Sequence, residues 1–373
     1  MNSISDQAHA GIHALHTYVP GKPIEDLKRE LGLDSIIKLA SNENPLGTSP
    51  AAVRALETFA GDLYRYPDGN GFALKHKLAC QHDIEPERIT LGNGSNDVLE
   101  LTARVFLGPG KNAVMSEHAF AVYPIVARAV NAEPRVVPAL GDESDMPFGH
   151  DLDAMHSHID ADTGVVFIAS PNNPTGTWLA PAALEAFLDA VPRHVVVVLD
   201  EAYLEYQDAE ERPDSRVWLD RYPNLIVTRT FSKIFGMAGL RAGYALSSGE
   251  VADLINRVRQ PFNINTLAMH CAAAALDDAD FIRHSVETNT AQRASLAREL
   301  NARGLHSLPS QANFITFDCG QPSTPLFDAM LREGVIVRPL ASYNMPEYLR
   351  VTVGKQEENR RFLGALDTVL ARP

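Results

Sequence analysis

The feature that most constrains the fold is an alternation of short β-branched runs with helical stretches between residues 88 and 246. This rhythm is typical of a mostly parallel sheet covered by helices. The run at residues 195–199, four valines and a leucine, is apolar throughout, as expected for a central strand buried on both faces. We therefore predict an α/β fold with strands at 88–91, 113–115, 135–137, 165–169, 195–199, 225–227 and 242–246.

The pattern changes after residue 249 and indicates a second unit. Helices are predicted at 250–259, 266–276 and 280–303, and strands at 314–317, 335–337 and 349–353 surround a helix at 325–333. A chain of 373 residues suggests two domains at about 150 residues each. We predict a large domain at residues 41–278, and a smaller α+β domain with an N-terminal arm formed by residues 1–40 and 279–373.

Charge and composition argue against several classes of partner. The formal net charge of −14 repels phosphate backbones and anionic lipid headgroups, so we expect small-molecule substrates, no nucleic acid and no membrane. The longest stretch without Asp, Glu, Lys or Arg, at residues 163–184, contains three prolines, which does not suit a lipid-exposed helix. Three cysteines without a C-x-x-C spacing, and no secretory signal, predict a cytoplasmic protein.

Ligands of open parallel sheets bind beyond the carboxyl ends of the strands, so the residues that follow each predicted strand are informative. The first strand is followed by Gly92-Asn93-Gly94-Ser95-Asn96, which opens a helix. Small residues at a helix N-terminus present free N–H groups to an anion, so a phosphate would fit there. The third glycine of a dinucleotide-binding motif is missing, and an ordinary turn remains an alternative.

Polar residues also follow the later strands. Asn173 lies in a proline-rich turn, Asp200 and Tyr203 follow the apolar strand, and Lys233 and Arg241 lie among apolar and glycine residues. Because no acid adjoins Lys233, burial would lower its pKa and make it nucleophilic. Each residue alone also fits a turn, a helix cap or a surface position. Together they are what pyridoxal phosphate needs: a lysine for a Schiff base, a carboxylate for the pyridine nitrogen, donors for the ring phenolate and a phosphate site.

With these residues, the chain resembles the fold type I, class II pyridoxal-phosphate aminotransferases, and within them the histidinol-phosphate aminotransferases. The similarity covers nearly the whole sequence, with motifs in the family's order at residues 38–45, 65–68, 92–95, 170–176, 200–203, 230–243 and 349–354. It implies an aspartate-aminotransferase-like large domain that binds pyridoxal 5'-phosphate. It also implies a homodimer with shared active sites.

The resemblance assigns catalytic roles to Lys233, Asp200 and Tyr203. Lys233 would hold the cofactor covalently and then act as general base and acid in a 1,3-proton shift. Asp200 would pair with the pyridinium nitrogen, Tyr203 and Asn173 with the phenolate oxygen, and Phe120 would stack on the ring. The full cofactor-binding set comprises Gly94, Ser95, Asn96, Phe120, Asn173, Asp200, Tyr203, Thr230, Ser232, Lys233 and Arg241, with Tyr66 reaching in from the second subunit.

The same resemblance implies four substrate-binding residues. Arg350 matches the arginine for the substrate carboxylate, and Arg338 matches a second arginine near a distal anion. Tyr18 lies in an N-terminal segment that would fold over the substrate, and Asn44 completes the set. For Arg338 and Tyr18, a surface salt bridge and a packing aromatic remain alternatives.

The implied reaction exchanges an amino group between histidinol phosphate and 2-oxoglutarate, giving imidazole acetol phosphate and glutamate, as in histidine biosynthesis. An aromatic amino acid aminotransferase is the nearest alternative, because a flat apolar pocket accepts imidazole and phenyl rings alike. Asn263, Asn265 and His270 are candidates for reading an imidazole, and each fits a helix cap or a position that lines a helix equally well. More distant alternatives are a decarboxylase or lyase acting on a phosphorylated amino acid, and a non-catalytic ligand-sensing domain. The latter would need a DNA-binding module, for which about 40 residues before the first motif leave no room.

Overall fold

The computed structural model describes residues 4–17, 21–59, 61 and 63–371. Over these residues the strands are β1 (Ile37–Lys38), β2 (Ile89–Gly92), β3 (Asn112–Ser116), β4 (Glu133–Val137), β5 (Thr163–Ala169), β6 (Val196–Asp200), β7 (Leu225–Thr230), β8 (Gly243–Ser247), β9 (Phe314–Asp318), β10 (Val335–Ile336), β11 (Arg338–Pro339) and β12 (Tyr348–Thr352). The α-helices are α1 (Ala10–His13), α2 (Ile24–Leu31), α3 (Pro50–Thr58), α4 (Phe72–His82), α5 (Ser95–Phe106), α6 (Val122–Ala129), α7 (Leu152–Ser157), α8 (Pro181–Ala190), α9 (Ser215–Arg221), α10 (Gly249–Val258), α11 (Thr266–Ala275), α12 (Ala279–Ala302), α13 (Ser323–Arg332) and α14 (Gln356–Leu370).

A seven-stranded sheet forms the centre of the molecule, in the order β2-β8-β7-β6-β5-β3-β4. Strand β8 runs antiparallel to both its neighbours, and every other pairing in this sheet is parallel. All seven strands predicted for this region are present, with ends that differ by three residues at most. The predicted mostly parallel α/β fold is therefore confirmed.

Two hydrophobic cores cover the faces of this sheet. Along β6, Val197 and Leu199 pack into one core while Val196 and Val198 pack into the other. Successive strand residues point to opposite faces, so a strand covered on both sides must be apolar at every position. This explains the unbroken apolar run in the sequence and makes the carboxyl end of β6 the first place where a polar side chain can stand.

A second, smaller sheet is antiparallel, in the order β11-β12-β9. Its core contains Phe317, Leu349 and Val351, against which Phe362 of α14 packs. Strand β1 pairs in parallel with β10, which joins the N-terminal segment to the C-terminal part of the chain. The domain boundaries at residues 40/41 and 278/279 stay a prediction.

The predicted strand at 335–337 is wrong in one respect. The chain forms two short strands there, β10 and β11, which belong to different sheets. Strand β10 pairs with β1 and β11 pairs with β12, so the backbone changes partners at Val337. A continuous run of β-branched residues cannot reveal such a change of partner.

The described residues contain neither a membrane-spanning helix nor a cluster of metal ligands. No helix in this part of the chain is long and apolar enough to cross a membrane. Nor do three or more His, Cys, Asp or Glu side chains there come together as metal ligands.

Candidate active site

A cavity of about 270 Å³ opens at the carboxyl ends of β5, β6 and β7, and its walls include residues of the small sheet. Ala169, Asp200 and Thr230, the last residues of those three strands, line it. Twelve of the predicted site residues lie in its wall: Ser95, Asn96, Phe120, Asn173, Asp200, Tyr203, Thr230, Ser232, Lys233, Arg241, Arg338 and Arg350.

Lys233 is half-buried in the turn that follows β7, and its Nζ donates a hydrogen bond to the carbonyl oxygen of Ser41 (3.2 Å). Burial lowers the pKa of Lys233 to about 8, and the positive charges of Arg350 and Arg241 act in the same direction. Glu43 and Asp200 oppose the shift. The neutral, nucleophilic amine is therefore far more populated near neutral pH than that of an ordinary lysine.

Asp200 is buried at the end of β6. One carboxylate oxygen accepts a hydrogen bond from the hydroxyl of Tyr123 (2.9 Å), and the other accepts one from Thr228 Oγ1 (3.0 Å). Burial raises the pKa of Asp200, and these two hydrogen bonds act against the rise. The carboxylate is thus held in a fixed orientation, as a partner for a protonated ring nitrogen requires.

Tyr123 was not predicted as a site residue. It is fully buried and stacks on Phe167, with ring centroids 4.8 Å apart. Phe120 meets it edge to face, at 5.8 Å. The sequence signal is weak, since it consists of two aromatic residues, Phe120 and Tyr123, three positions apart. It does not show that α6 lies beside the end of β6.

Tyr203 lies three residues after Asp200, and burial raises the pKa of its phenol. Its hydroxyl oxygen accepts a hydrogen bond from Asn42 Nδ2 (2.9 Å). Asn42 was also missed, since an asparagine in a loop carries no distinctive signal. Tyr203 and Asn173 both line the cavity, where their remaining donors are available to a ligand oxygen.

The other end of the cavity suits a phosphate. Helix α5 begins at Ser95, and Arg241 Nη1 donates to Ser232 Oγ (3.3 Å). A Cβ on Gly94 would lie 2.5 Å from Arg241 Nη2, and one on Gly243 would lie 2.3 Å from the backbone nitrogen of Ser95. A helix N-terminus, hydroxyls and a guanidinium therefore converge on a space that side chains at 94 and 243 would obstruct.

Two arginines of the small sheet complete the cavity. Arg350 of β12 donates hydrogen bonds to Asn173 Oδ1 and to the carbonyl oxygen of Ala40, the latter at 2.8 Å. Its guanidinium lies 5.1 Å from the ring centroid of Phe314. Arg338 of β11 is buried and lines the same cavity. These two guanidinium groups give the cavity an anion-binding wall that the small sheet supplies.

Two predicted residues lie away from this chain's cavity. The amide nitrogen of Asn44 donates to the carbonyl oxygen of Ile234 (2.8 Å) and to Ser285 Oγ (3.0 Å), and Asn44 does not line the cavity. Tyr66 is 83% exposed and stacks on Phe262 at 4.8 Å. Tyr18 lies outside the described residues.

The three candidates for reading an imidazole do not line the cavity. Asn263 donates to Asp97 Oδ2 (2.6 Å), and Asn265 caps α11 by accepting from the backbone nitrogen of Ala268 (2.8 Å). The ring of His270 packs against Phe59. Their side chains serve the local structure, which is the alternative that the sequence left open for them.

Comparisons with known proteins agree on one group. The family model described as aminotransferase class I and II matches residues 34–366. Histidinol-phosphate aminotransferase 2 of Pseudomonas aeruginosa is 56% identical over 366 residues, which are 98% of each chain. The protein named histidinol-phosphate aminotransferase 2 in Methylococcus capsulatus is 53% identical over 368 residues, 99% of each chain.

Solved structures share the fold. Histidinol-phosphate aminotransferase from Sinorhizobium meliloti, in complex with pyridoxal-5'-phosphate, superposes with a TM-score of 0.88 at 27% identity, covering 98% of this chain and 97% of that one. A Thermus thermophilus aspartate aminotransferase mutant gives 0.84 at 23% identity, covering 99% and 100%. L-threonine-O-3-phosphate decarboxylase from Porphyromonas gingivalis gives 0.79 at 21%, covering 90% and 100%. The last two show likeness in fold alone.

Proposed function

The chain belongs to the class I and II aminotransferases, and from that premise we propose that it exchanges an amino group between histidinol phosphate and 2-oxoglutarate. The products are imidazole acetol phosphate and glutamate. It is a pyridoxal-phosphate-dependent enzyme. The observation that carries the proposal is one cavity in which a lysine of lowered pKa, a buried carboxylate and two arginines stand together.

The donor set fits pyridoxal phosphate. Its phosphate suits the end of the cavity formed by Ser95, Ser232 and Arg241, its ring nitrogen suits Asp200, and its phenolate oxygen suits Tyr203 together with the amide of Asn173. When bound, the cofactor supplies an electron sink and a carrier for the amino group, which no side chain can provide.

The chain's own residues bind, orient and move protons. Lys233 Nζ, with its pKa lowered to about 8, would take the proton from the carbon that bears the donor's amino group and would deliver it to the carbon on the other side of that nitrogen, so that the amino group is left on the cofactor. The carboxylate of Asp200, fixed by Tyr123 and Thr228, holds a proton on the ring nitrogen throughout. Tyr203 donates its phenolic hydrogen toward the ring oxygen.

The cavity must bind two substrates in turn, and their anionic groups differ. Histidinol phosphate has a phosphate ester and no carboxylate beside its amino group, whereas 2-oxoglutarate has two carboxylates. Guanidinium groups bind phosphate and carboxylate with the same fork of N–H donors, so Arg338 and Arg350 can serve both partners.

We also propose a cytoplasmic homodimer. Large apolar side chains are exposed in one short stretch of the chain: Leu63, Tyr64, Tyr66 and Phe72, each at least 65% exposed, and Tyr66 stacks on Phe262, which is 42% exposed. Such a patch favours a protein partner, and a second copy of the chain would also supply Tyr66 to the phosphate end of its partner's cavity.

The test compares kcat/KM for histidinol phosphate and for phenylalanine, each with 2-oxoglutarate, on the cofactor-loaded enzyme. The proposal predicts a preference of at least about a hundredfold for histidinol phosphate. Parity, or a preference for phenylalanine, would assign the chain to aromatic amino acids.

A further inference from the structure

Asn42 occupies an unusual position in the wall of the cavity. It is 1% exposed, lines the cavity, and has a left-handed backbone, with φ at +56°. Asparagine tolerates this conformation better than most residues, but it still carries a cost that surrounding contacts must offset.

On one side Asn42 contacts Tyr203, which follows β6 of the seven-stranded sheet. Its Nδ2 donates a hydrogen bond to the hydroxyl oxygen of Tyr203 at 2.9 Å. On the other side it contacts the small sheet. Its backbone nitrogen donates to Thr352 Oγ1 (2.9 Å), and its carbonyl oxygen accepts from Asn313 Nδ2 (3.0 Å). Thr352 lies two residues after Arg350 on β12. Asn42 is therefore a direct bridge between the small sheet and Tyr203.

Its two preceding neighbours extend this bridge. The carbonyl oxygen of Ala40 accepts from Arg350, and that of Ser41 accepts from Lys233. Three consecutive residues thus hold the arginine, the lysine and the tyrosine of the site. Among them, Asn42 is the one that acts through its side chain.

The direction of the Asn42–Tyr203 hydrogen bond has a chemical consequence. An amide N–H that donates to a phenol oxygen leaves the phenol's own proton to be donated elsewhere and strengthens that donation. Because Tyr203 lines the cavity, its phenol can donate this proton to a ligand bound there. A Tyr203 without this partner would be a weaker and less directed donor.

We propose that Asn42 is a positioning residue, which orients the hydroxyl of Tyr203 toward the phenolate oxygen of bound pyridoxal phosphate and ties that orientation to the small sheet. This inference rests on the proposed cofactor site. It does not depend on which amino donor the enzyme prefers.

The test is a double-mutant cycle with Asn42→Gly and Tyr203→Phe, since glycine keeps the left-handed backbone and removes only the amide. Two readouts are made on the protein without substrate: the affinity of the apoenzyme for pyridoxal phosphate, and the pH midpoint of the bound cofactor's absorption band. A donor to the ring oxygen stabilises the more negative form of the cofactor, so a weaker donor raises the midpoint.

Asn42→Gly is expected to raise the midpoint by about half a unit or more and to weaken cofactor binding about fivefold or more. In the Tyr203→Phe background the same change should have less than about a twofold effect. Asn42→Asp is a second variant, because its carboxylate accepts the phenol proton and turns it away from the ring oxygen, which also raises the midpoint. Asp83→Gly, at an exposed left-handed helix end with φ at +51°, is the matched control and should leave both readouts unchanged.

An unchanged midpoint in Asn42→Gly, or effects that add fully to those of Tyr203→Phe, would overturn the inference and leave a purely structural role. Because neither readout uses an amino donor, an enzyme that prefers phenylalanine would still return the predicted shift. A wild-type protein that binds no pyridoxal phosphate would instead contradict the proposed function itself.

Discussion

Arg338 and Arg350 lie directly opposite each other in the antiparallel ladder of β11 and β12, and both line the cavity. Side chains at facing positions of such a ladder are on the same side of the sheet, where like charges repel. The arrangement is what an anion-binding wall needs, because an anion between the two guanidinium groups relieves the repulsion. The fold thus holds two positive charges ready for a substrate anion.

Arg338→Gln is therefore expected to raise KM for histidinol phosphate about tenfold or more, with a much smaller change in kcat, since the residue acts in binding. Steady-state kinetics measure this split. Arg332→Gln, an exposed arginine on α13, is the control for lost charge. Equal effects of the two substitutions would contradict a specific role for Arg338.

Lys233 should react with pyridoxal phosphate in a pH-dependent way set by its lowered pKa. The rate at which the apoenzyme captures the cofactor should rise with pH, with its midpoint at about 8, and level off about one pH unit higher, where nearly all of the amine is neutral. An ordinary lysine would give a rate that continues to rise toward about pH 10.

Lys233→Ala should lose more than about a thousandfold in turnover, and near-normal turnover would rule out its covalent role.

Tyr123→Phe should destabilise the protein by about 1–3 kcal/mol, because the buried carboxylate of Asp200 loses one of its donors. The pKa of Asp200, already raised by burial, rises further, so the loss grows as pH increases through the range in which Asp200 ionises. Denaturant unfolding at several pH values measures this. Tyr222→Phe removes a hydrogen bond to the half-exposed Asp189 and should show no such pH dependence.

Gly243→Ala should weaken cofactor binding about tenfold or more, because the added Cβ would lie 2.3 Å from the backbone nitrogen of Ser95. Titration of the apoenzyme with pyridoxal phosphate measures the affinity. Gly239→Ala, in the short helical turn that precedes β8 and with no atom within 4 Å of its added Cβ, is the matched control. If both variants bound the cofactor normally, the assignment of the phosphate site to this part of the cavity would be wrong.

Shared active sites predict complementation between inactive chains. Mixing Lys233→Ala with Tyr66→Ala subunits should restore activity in about a quarter of all sites, since a hybrid dimer has one site with both residues intact. Mixing Lys233→Ala with Arg241→Ala should restore none, because those two residues act within one chain. If the first mixture stayed as inactive as its parents, Tyr66 would not serve the partner.

The sequence predicted the central sheet and the polar residues at its strand ends because both follow local rules. An unbroken apolar run such as that around Val197 has few other uses, and a carboxylate at its end must face a cleft or a partner. Lys233, Asp200 and Arg241 were found by this logic together with the family resemblance. They lie together in the structure as expected.

The remaining features depend on contacts between distant segments. Asn42 meets Tyr203 across 161 positions, and Tyr123 meets Asp200 across 77, so no local pattern links either pair. The converse holds for Asn265, which has the residue type of a binding group but occupies a helix cap. The residues that serve the site are therefore distinguished from those that serve local structure by the partners of their side chains, and not by their residue types.

The most direct test of the account adds histidinol phosphate alone to the cofactor-loaded enzyme and follows the absorption of the bound cofactor. We predict that the absorption band of the cofactor bound covalently to Lys233 is lost in a single half-reaction. Addition of 2-oxoglutarate should then restore that band. An unchanged band with histidinol phosphate, together with a full change on adding phenylalanine, would contradict the proposed function.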